Sequence, residues 1–309
     1  MNNPNFFRKS LENTPEVEQP PKYRLMISRH AERLPDGSLA PEGIESSTKK
    51  GEKLREEAEV VKGYASDEKS GRTVMTSDLI SDASGTISAS TEKGYKTRER
   101  TGIQYDILNP DLTPLLKQAS KIIDDATIKE LGLPAGTVLK ELPKEEQEKI
   151  APIRQKNQEL GLKILLDNPE VVHRMSIGLA HQLVKELELV NRYDDLRKNG
   201  NKPIEKDVIL NTVSHGMFSE SLFLEAGYIK TEDGGLRKIE ESDIENQKFG
   251  GFIMPSESFF LEIKDPKNIP DKIPVSFEKQ DRPEEGVVFI DKNRLLELAE
   301  EYEERENKS

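Results

Sequence analysis

Short unbroken apolar runs alternate along this chain with longer stretches of helical spacing. Leu25-Met26-Ile27 is apolar throughout, as in a strand buried on both faces, and it stops at Ser28-Arg29-His30. Thr73-Val74-Met75-Thr76 predicts a second strand ending at Ser77-Asp78, and Ile103 to Leu108 a further one bounded by Asn109-Pro110. Val208-Ile209-Leu210-Asn211-Thr212-Val213 is the clearest strand, ending at Ser214-His215-Gly216 and running into a helix through Phe218, Leu222 and Phe223. Gly250 to Met254 and Ser258 to Ile263 alternate like a hairpin around Pro255-Ser256. Val287 to Ile290 reads as a last short strand, and Asp291 to Glu304 as a terminal helix capped by Asp291.

The helical stretches fall between these strands. A polar helix is expected from about Pro41 to Lys62, while the small residues from Leu79 to Ser90 weaken any helix there. Residues from Leu112 to about Glu170 are mostly helical in pattern, rich in Lys and Glu, and broken by Pro134 and Pro143. They read as a helical insertion over the sheet, about 113–168, with the charges on a solvated face. After Pro169 an apolar stripe of Val172, Met175, Leu179, Leu183 and Leu187 carries a longer helix to about Leu196. Residues 1–22, polar and proline-rich, read as a flexible lead-in, and 23–309 as a single domain. Strands alternating with helices predict an α/β fold with a mainly parallel central sheet.

Composition narrows the function classes. The net charge of −12 argues against nucleic acid or an anionic membrane surface as the main partner. With no cysteine there can be no disulfide, thiol nucleophile or thiolate metal site. Residues 1–20 contain no apolar run of signal-peptide length and no segment approaches a membrane span, so a cytoplasmic protein is expected.

The candidate chemistry lies at strand ends. Of four histidines, His30 and His215 each follow a strand, where open α/β sheets bind ligands. Arg29 and Arg33 flank His30, and burying such cations costs several kcal/mol unless an anion meets them. A phosphate is the anion that best suits guanidinium forks beside an imidazole that can act as nucleophile on phosphorus. His173 and His181, on the long helix, read as structural, with no metal-ligand spacing around them.

Arg29-His30-Ala31-Glu32-Arg33-Leu34-Pro35 resembles the signature of the histidine phosphatase superfamily, which holds phosphoglycerate mutase and histidine acid phosphatase branches. Leu39-Ala40-Pro41-Glu42-Gly43 is similar to the family's entry to its first helix, and Thr76-Ser77-Asp78-Leu79 to its second-strand motif. Val213-Ser214-His215-Gly216 resembles the mutase-branch motif carrying the second histidine. The resemblance spans about Tyr23 to Ile263, with the middle third unmatched. It implies a three-layer sandwich of phosphoglycerate mutase-like type. It also implies His30 as the phosphorylated nucleophile, with Arg29, Arg33 and His215 gripping the phosphoryl oxygens and no metal or other cofactor.

The chain departs from the family at three places. Ala31 stands for the usual glycine. Ile80-Ser81-Asp82-Ala83 puts Ser81 or Asp82 where a second phosphate-binding arginine belongs, leaving Arg98 or Arg100 as candidate replacements. Neither usual proton donor is present: Pro114 stands at the mutase glutamate position and Gly216 at the acid phosphatase aspartate position. Glu32, Asp78 and Glu220 lie near the motifs without one being singled out. The expectation is a phosphomonoesterase working through a phosphohistidine on a small molecule or phosphoprotein. The alternative is a degenerate relative that binds a phosphorylated ligand or partner without turnover, and a mutase is the weakest third reading. Substrate identity and oligomeric state are not legible from the sequence.

Overall fold

A computed structural model describes residues 22–65, 71–85, 113–199, 206–245, 249, 251–279 and 281–306, with backbone alone for 59–62. In chain order its elements are β1 (Tyr23–Arg29), α1 (Pro41–Glu57), β2 (Ala58–Ala65), α2 (Arg72–Ala83), α3 (Thr113–Leu131), α4 (Lys144–Lys156), α5 (Gln158–Leu166) and α6 (Pro169–Asn199). There follow β3 (Asp207–Ser214), α7 (Phe218–Ala226), β4 (Gly227–Lys230), β5 (Leu236–Lys238), α8 (Glu241–Glu245), β6 (Ser258–Ile263), β7 (Lys272–Phe277), β8 (Val288–Asp291) and α9 (Lys292–Glu306). No helix among the described residues is long and apolar enough to cross a membrane.

The fold is α/β, built on an eight-stranded sheet in the order β2-β3-β1-β6-β7-β8-β4-β5. It is mixed, which corrects the expectation of a mainly parallel sheet. Only β2, β3 and β1 run parallel, and every pairing from β1–β6 onward is antiparallel. Connection length accounts for two of these pairings, β6–β7 and β4–β5. A parallel return needs a crossover of a dozen or more residues, whereas 264–271 and 231–235 suffice only for reversals.

Alternation along β1 splits the core. Tyr23, Leu25 and Ile27 join one large cluster with Leu183 and Val190 of α6, Phe223 of α7 and Leu295 of α9. Met26 points the other way, onto Leu54 of α1 and Ile80 of α2. Helices therefore cover both faces of the parallel strands, which is why β1 and β3 are apolar nearly throughout. Arg24 is accommodated near the end of β1 by Glu57 at 3.0 Å and Asp207 at 3.2 Å.

Two elements differ from the sequence expectation. The first helix stops at Glu57 and β2 follows at once, where helix had been expected to about Lys62. The stretch Thr73–Thr76, expected as a strand, is the first turn and a half of α2. Its buried positions are Thr73, Thr76, Ser77, Ile80 and Ser81, a helical stripe made almost entirely of small polar side chains. Hydrophobic periodicity cannot register such a stripe. Small residues are needed there because α2 lies close on β2: a Cβ at Gly63 would meet Ser77 Oγ at 2.5 Å and Ser81 Oγ at 2.6 Å.

Ser258–Ile263 is a strand, but its partners are β1 and β7, not the segment from Gly250 to Met254. β7 went unpredicted. The capping role expected of Asp291 is observed, its Oδ1 accepting from the backbone N–H of Asn293 at 2.9 Å and Arg294 at 3.2 Å. The strand expected over Ile103–Leu108 lies outside the described residues.

Candidate active site

Register brings the two histidines together. β1 and β3 are parallel neighbours with Arg29 opposite Ser214, so the next residues, His30 and His215, leave the sheet side by side. His30 N–H donates to Ser214 O at 2.8 Å, and the two imidazole rings meet edge to face with centroids 5.2 Å apart. Three further contacts brace the turn after β1. Ser256 N–H donates to His30 O at 3.2 Å, Ala31 N–H to Thr76 Oγ1 at 3.1 Å, and Arg29 N–H to Glu257 O at 3.0 Å. Ala31 does not have positive φ, so a methyl group is accepted at the position where the family motif has glycine.

Hydrogen bonding fixes the proton on each ring. Nδ1 of His30 lies 2.7 Å from Ala31 O, a carbonyl that can only accept, so Nδ1 carries the proton and Nε2 keeps its lone pair. Burial, then His215, Arg72, Arg29 and Arg33, push the pKa of His30 well below the usual histidine value. His30 is thus a neutral imidazole with a free Nε2, the state required of a nucleophile. For His215 the assignment is the reverse. Arg72 Nη2 donates to its Nδ1 at 3.1 Å, which puts the proton of the neutral ring on Nε2.

Around these rings is a cavity of about 360 Å³ lined in part by Arg29, His30, Arg33, Arg72 and His215. The four residues expected at the site are all here. Arg72 is the one that sequence reasoning missed. It opens α2, the helix that follows β2, and so comes after a parallel strand as the other site residues do. Had the strand been placed at 58–65, this position would have been legible. Of the residues standing where the family motif has its second arginine, Ser81 is buried against β2 and Asp82 is exposed and outside the cavity; the candidate replacements Arg98 and Arg100 lie outside the described residues.

Arg29 is held more firmly than a purely ligand-binding side chain would be. Its Nη1 donates to Ile253 O at 2.7 Å and its Nη2 to Gln158 Oε1, while Nε is buried without a partner. Burial lowers its pKa, opposed by the carboxylates of Glu220 and Glu257. Gly216 lies flat against this guanidinium, since a Cβ there would meet Arg29 Cζ at 2.5 Å. The glycine after the second histidine therefore lets the backbone approach Arg29.

Two of the three acidic candidates have other roles. Glu220 is fully buried, and its two oxygens accept from Met217 N–H at 2.9 Å and Ile253 N–H at 2.8 Å. That clamp holds Met217 at φ 90°, a backbone state costing about 1–3 kcal/mol for a residue with a side chain. Glu32 accepts from Ser256 Oγ at 2.6 Å and Ser46 Oγ at 3.4 Å. Neither of these nor Asp78 lines the cavity, and among the described residues no carboxylate does.

The chain matches no protein-family model and no curated protein. The site therefore stands on its own geometry.

The remaining histidines are structural, as expected from sequence. His173 bridges Glu225 at 3.3 Å and Glu301 at 2.8 Å, joining α6 to α7 and α9. His181 stacks on Tyr302 of α9 with centroids 4.3 Å apart, and burial brings its pKa to about 4.

Proposed function

We propose that this chain is a metal-independent phosphomonoesterase that works through a phosphohistidine on His30. The observation that carries the reading is the pair of strand-end histidines with opposite tautomers, set among Arg29, Arg33 and Arg72. The neutral Nε2 of His30 attacks phosphorus, the bond from phosphorus to the ester oxygen breaks, and the departing alcohol takes up a proton. Water then attacks the phosphohistidine, the N–P bond breaks, and inorganic phosphate leaves as the imidazole is restored. Guanidinium groups neutralise the phosphoryl oxygens in both steps, and Nε2–H of His215 donates to one of them. The three-layer, phosphoglycerate mutase-like arrangement belongs to the same proposal, supported by the motif at Arg29–Pro35 and by helices on both faces of the parallel strands.

A non-catalytic phosphate binder drew part of its support from a missing arginine, and a third arginine, Arg72, lines the cavity. Its remaining support is that no carboxylate lines the cavity among the described residues. Hydrolysis of p-nitrophenyl phosphate by the parent and by His30→Ala separates the two readings. Turnover lost in the variant, with an acid-labile phosphoryl adduct trapped on the parent, is the expected outcome. Equal rates in parent and variant, or stoichiometric phosphate binding with no turnover by the parent, would overturn the phosphatase.

A further inference from the structure

The helical side of the cavity lining has a different character from the side that holds the histidines. Leu116 and Ile123 of α3, Leu162 and Leu165 of α5, Met175 of α6 and Phe218 of α7 form its wall. In α3 the lining positions 116, 119 and 123 fall on one helical face, as do 158, 161, 162 and 165 in α5. The two helices meet closely at Gly161, where a Cβ would come within 2.6 Å of Ile123 Cδ1. The Lys/Glu-rich insertion thus turns one apolar stripe from each of two helices onto the site. Of the polar side chains on this side, Gln158 is engaged by Arg29 and Ser120 lies at the exposed margin.

We infer that the substrate is a small phosphomonoester whose alcohol carries a compact apolar group, its phosphate on the arginines and its apolar part on the α3–α5 wall. This rests on the phosphomonoesterase reading for turnover, though not for binding. Charge complementarity orients the ligand, because the cationic lining residues are Arg29, Arg33 and Arg72 and none of those on α3, α5 or α6 is charged. At about 360 Å³ the space is near the lower end of small-molecule sites, which suits a ring-sized group and not a long chain or a folded phosphoprotein surface. A polyhydroxylated alcohol would bury hydroxyls against this wall without partners and be selected against.

Two non-hydrolysable probes test this on the full chain by calorimetry: 3-phenylpropylphosphonate and 2,3-dihydroxypropylphosphonate. The expected result is at least roughly tenfold tighter binding of the phenyl compound, the discrimination an apolar pocket ordinarily provides. Leu116→Gln should bring that ratio towards one. Leu116→Ala, which only shortens the wall, should reduce it in part and serves if the glutamine variant does not fold. Equal affinities in the parent, or a preference unmoved by both variants, would overturn the inference. So would a phosphotyrosyl peptide turned over faster than 3-phenylpropyl phosphate. Apolar preference without turnover of any ester would sink the phosphatase and leave this inference standing. Turnover dependent on His30, with glycerol phosphate and 3-phenylpropyl phosphate equally good, would do the reverse.

Discussion

Arg72→Ala should separate activity from stability. Arg72 is the first residue of α2, with no acidic side chain in that turn, so its charge opposes the positive end of the helix dipole. A cation there costs about 0.3–1 kcal/mol. It also stands in one cavity with Arg29 and Arg33, and its charge helps to keep His30 unprotonated. Removing it relieves that repulsion but also takes the donor from His215 Nδ1, so the stability of the ligand-free protein should stay within about 1 kcal/mol of the parent's. The kinetic effect is much larger. One preorganised donor lost from a developing phosphoryl charge costs roughly 10²–10³ in rate, about 2.7–4 kcal/mol. The assay is kcat/KM for p-nitrophenyl phosphate, paired with thermal unfolding in the presence and absence of inorganic phosphate. Phosphate should raise the Tm of the parent by mass action and raise that of the variant much less. A variant that hydrolyses the ester normally, or that loses more than about 1 kcal/mol without ligand, would refute the assignment and make Arg72 a structural residue.

Three further outcomes are expected. Gly216→Ala drives a methyl group into Arg29 Cζ and should cost roughly 10²-fold in kcat/KM through displacement of the guanidinium, so unchanged kinetics would contradict the packing argument. Glu220→Gln leaves one acceptor for the two backbone N–H groups of Met217 and Ile253, and thermal unfolding should show a loss of about 1–3 kcal/mol. For His181, the fold holds its pKa near 4 while the unfolded chain titrates near 6.5. Between those values the unfolded state binds a proton that the folded state refuses, so stability falls as pH drops through this window, by on the order of 1–3 kcal/mol. Burial and Lys185 cause the shift, and Glu303 opposes it. Denaturant titrations at pH 7 and pH 4 should therefore show a smaller acid loss in His181→Phe than in the parent.

What the sequence made legible follows the kind of signal each residue sends. β1 and β3 are buried on both faces, so their apolar runs were unambiguous, and the histidines at their ends could be located from the runs alone. α2 is buried through Thr73, Thr76, Ser77 and Ser81, residues that apolar periodicity counts as polar, and its Thr-Val-Met-Thr start has strand-like composition. Reading it as a strand concealed Arg72. The antiparallel half of the sheet was illegible for another reason. Its strands are short, and pairing direction depends on which neighbours they meet, a long-range property with no local signature. The apolar stripes of α3 and α5 were present at helical spacing, but the surrounding Lys and Glu residues masked them.

The glutamates near the motifs show why proximity in sequence misled. Proton donors were sought close to the histidines, and Glu220 is close, yet its oxygens are committed to backbone N–H groups that hold the turn at Met217. Buried arginines need such anions: Arg29 has Glu220 and Glu257 as its nearest opposing charges, while Glu257 is itself paired with Arg282 and Lys279. The negative charge around the site is therefore placed behind the cationic wall and not in front of it. Placed there, the carboxylates offset part of the cost of burying guanidinium groups without occupying the position an anion would take. A carboxylate in the cavity would compete with phosphate for the same guanidinium forks. Moving one there should expose that competition. Gln158→Glu, which sets a carboxylate on the Arg29 guanidinium within the cavity, is expected to raise KM for p-nitrophenyl phosphate without loss of thermal stability. A KM equal to that of the parent would mean that Arg29 does not bind the ester.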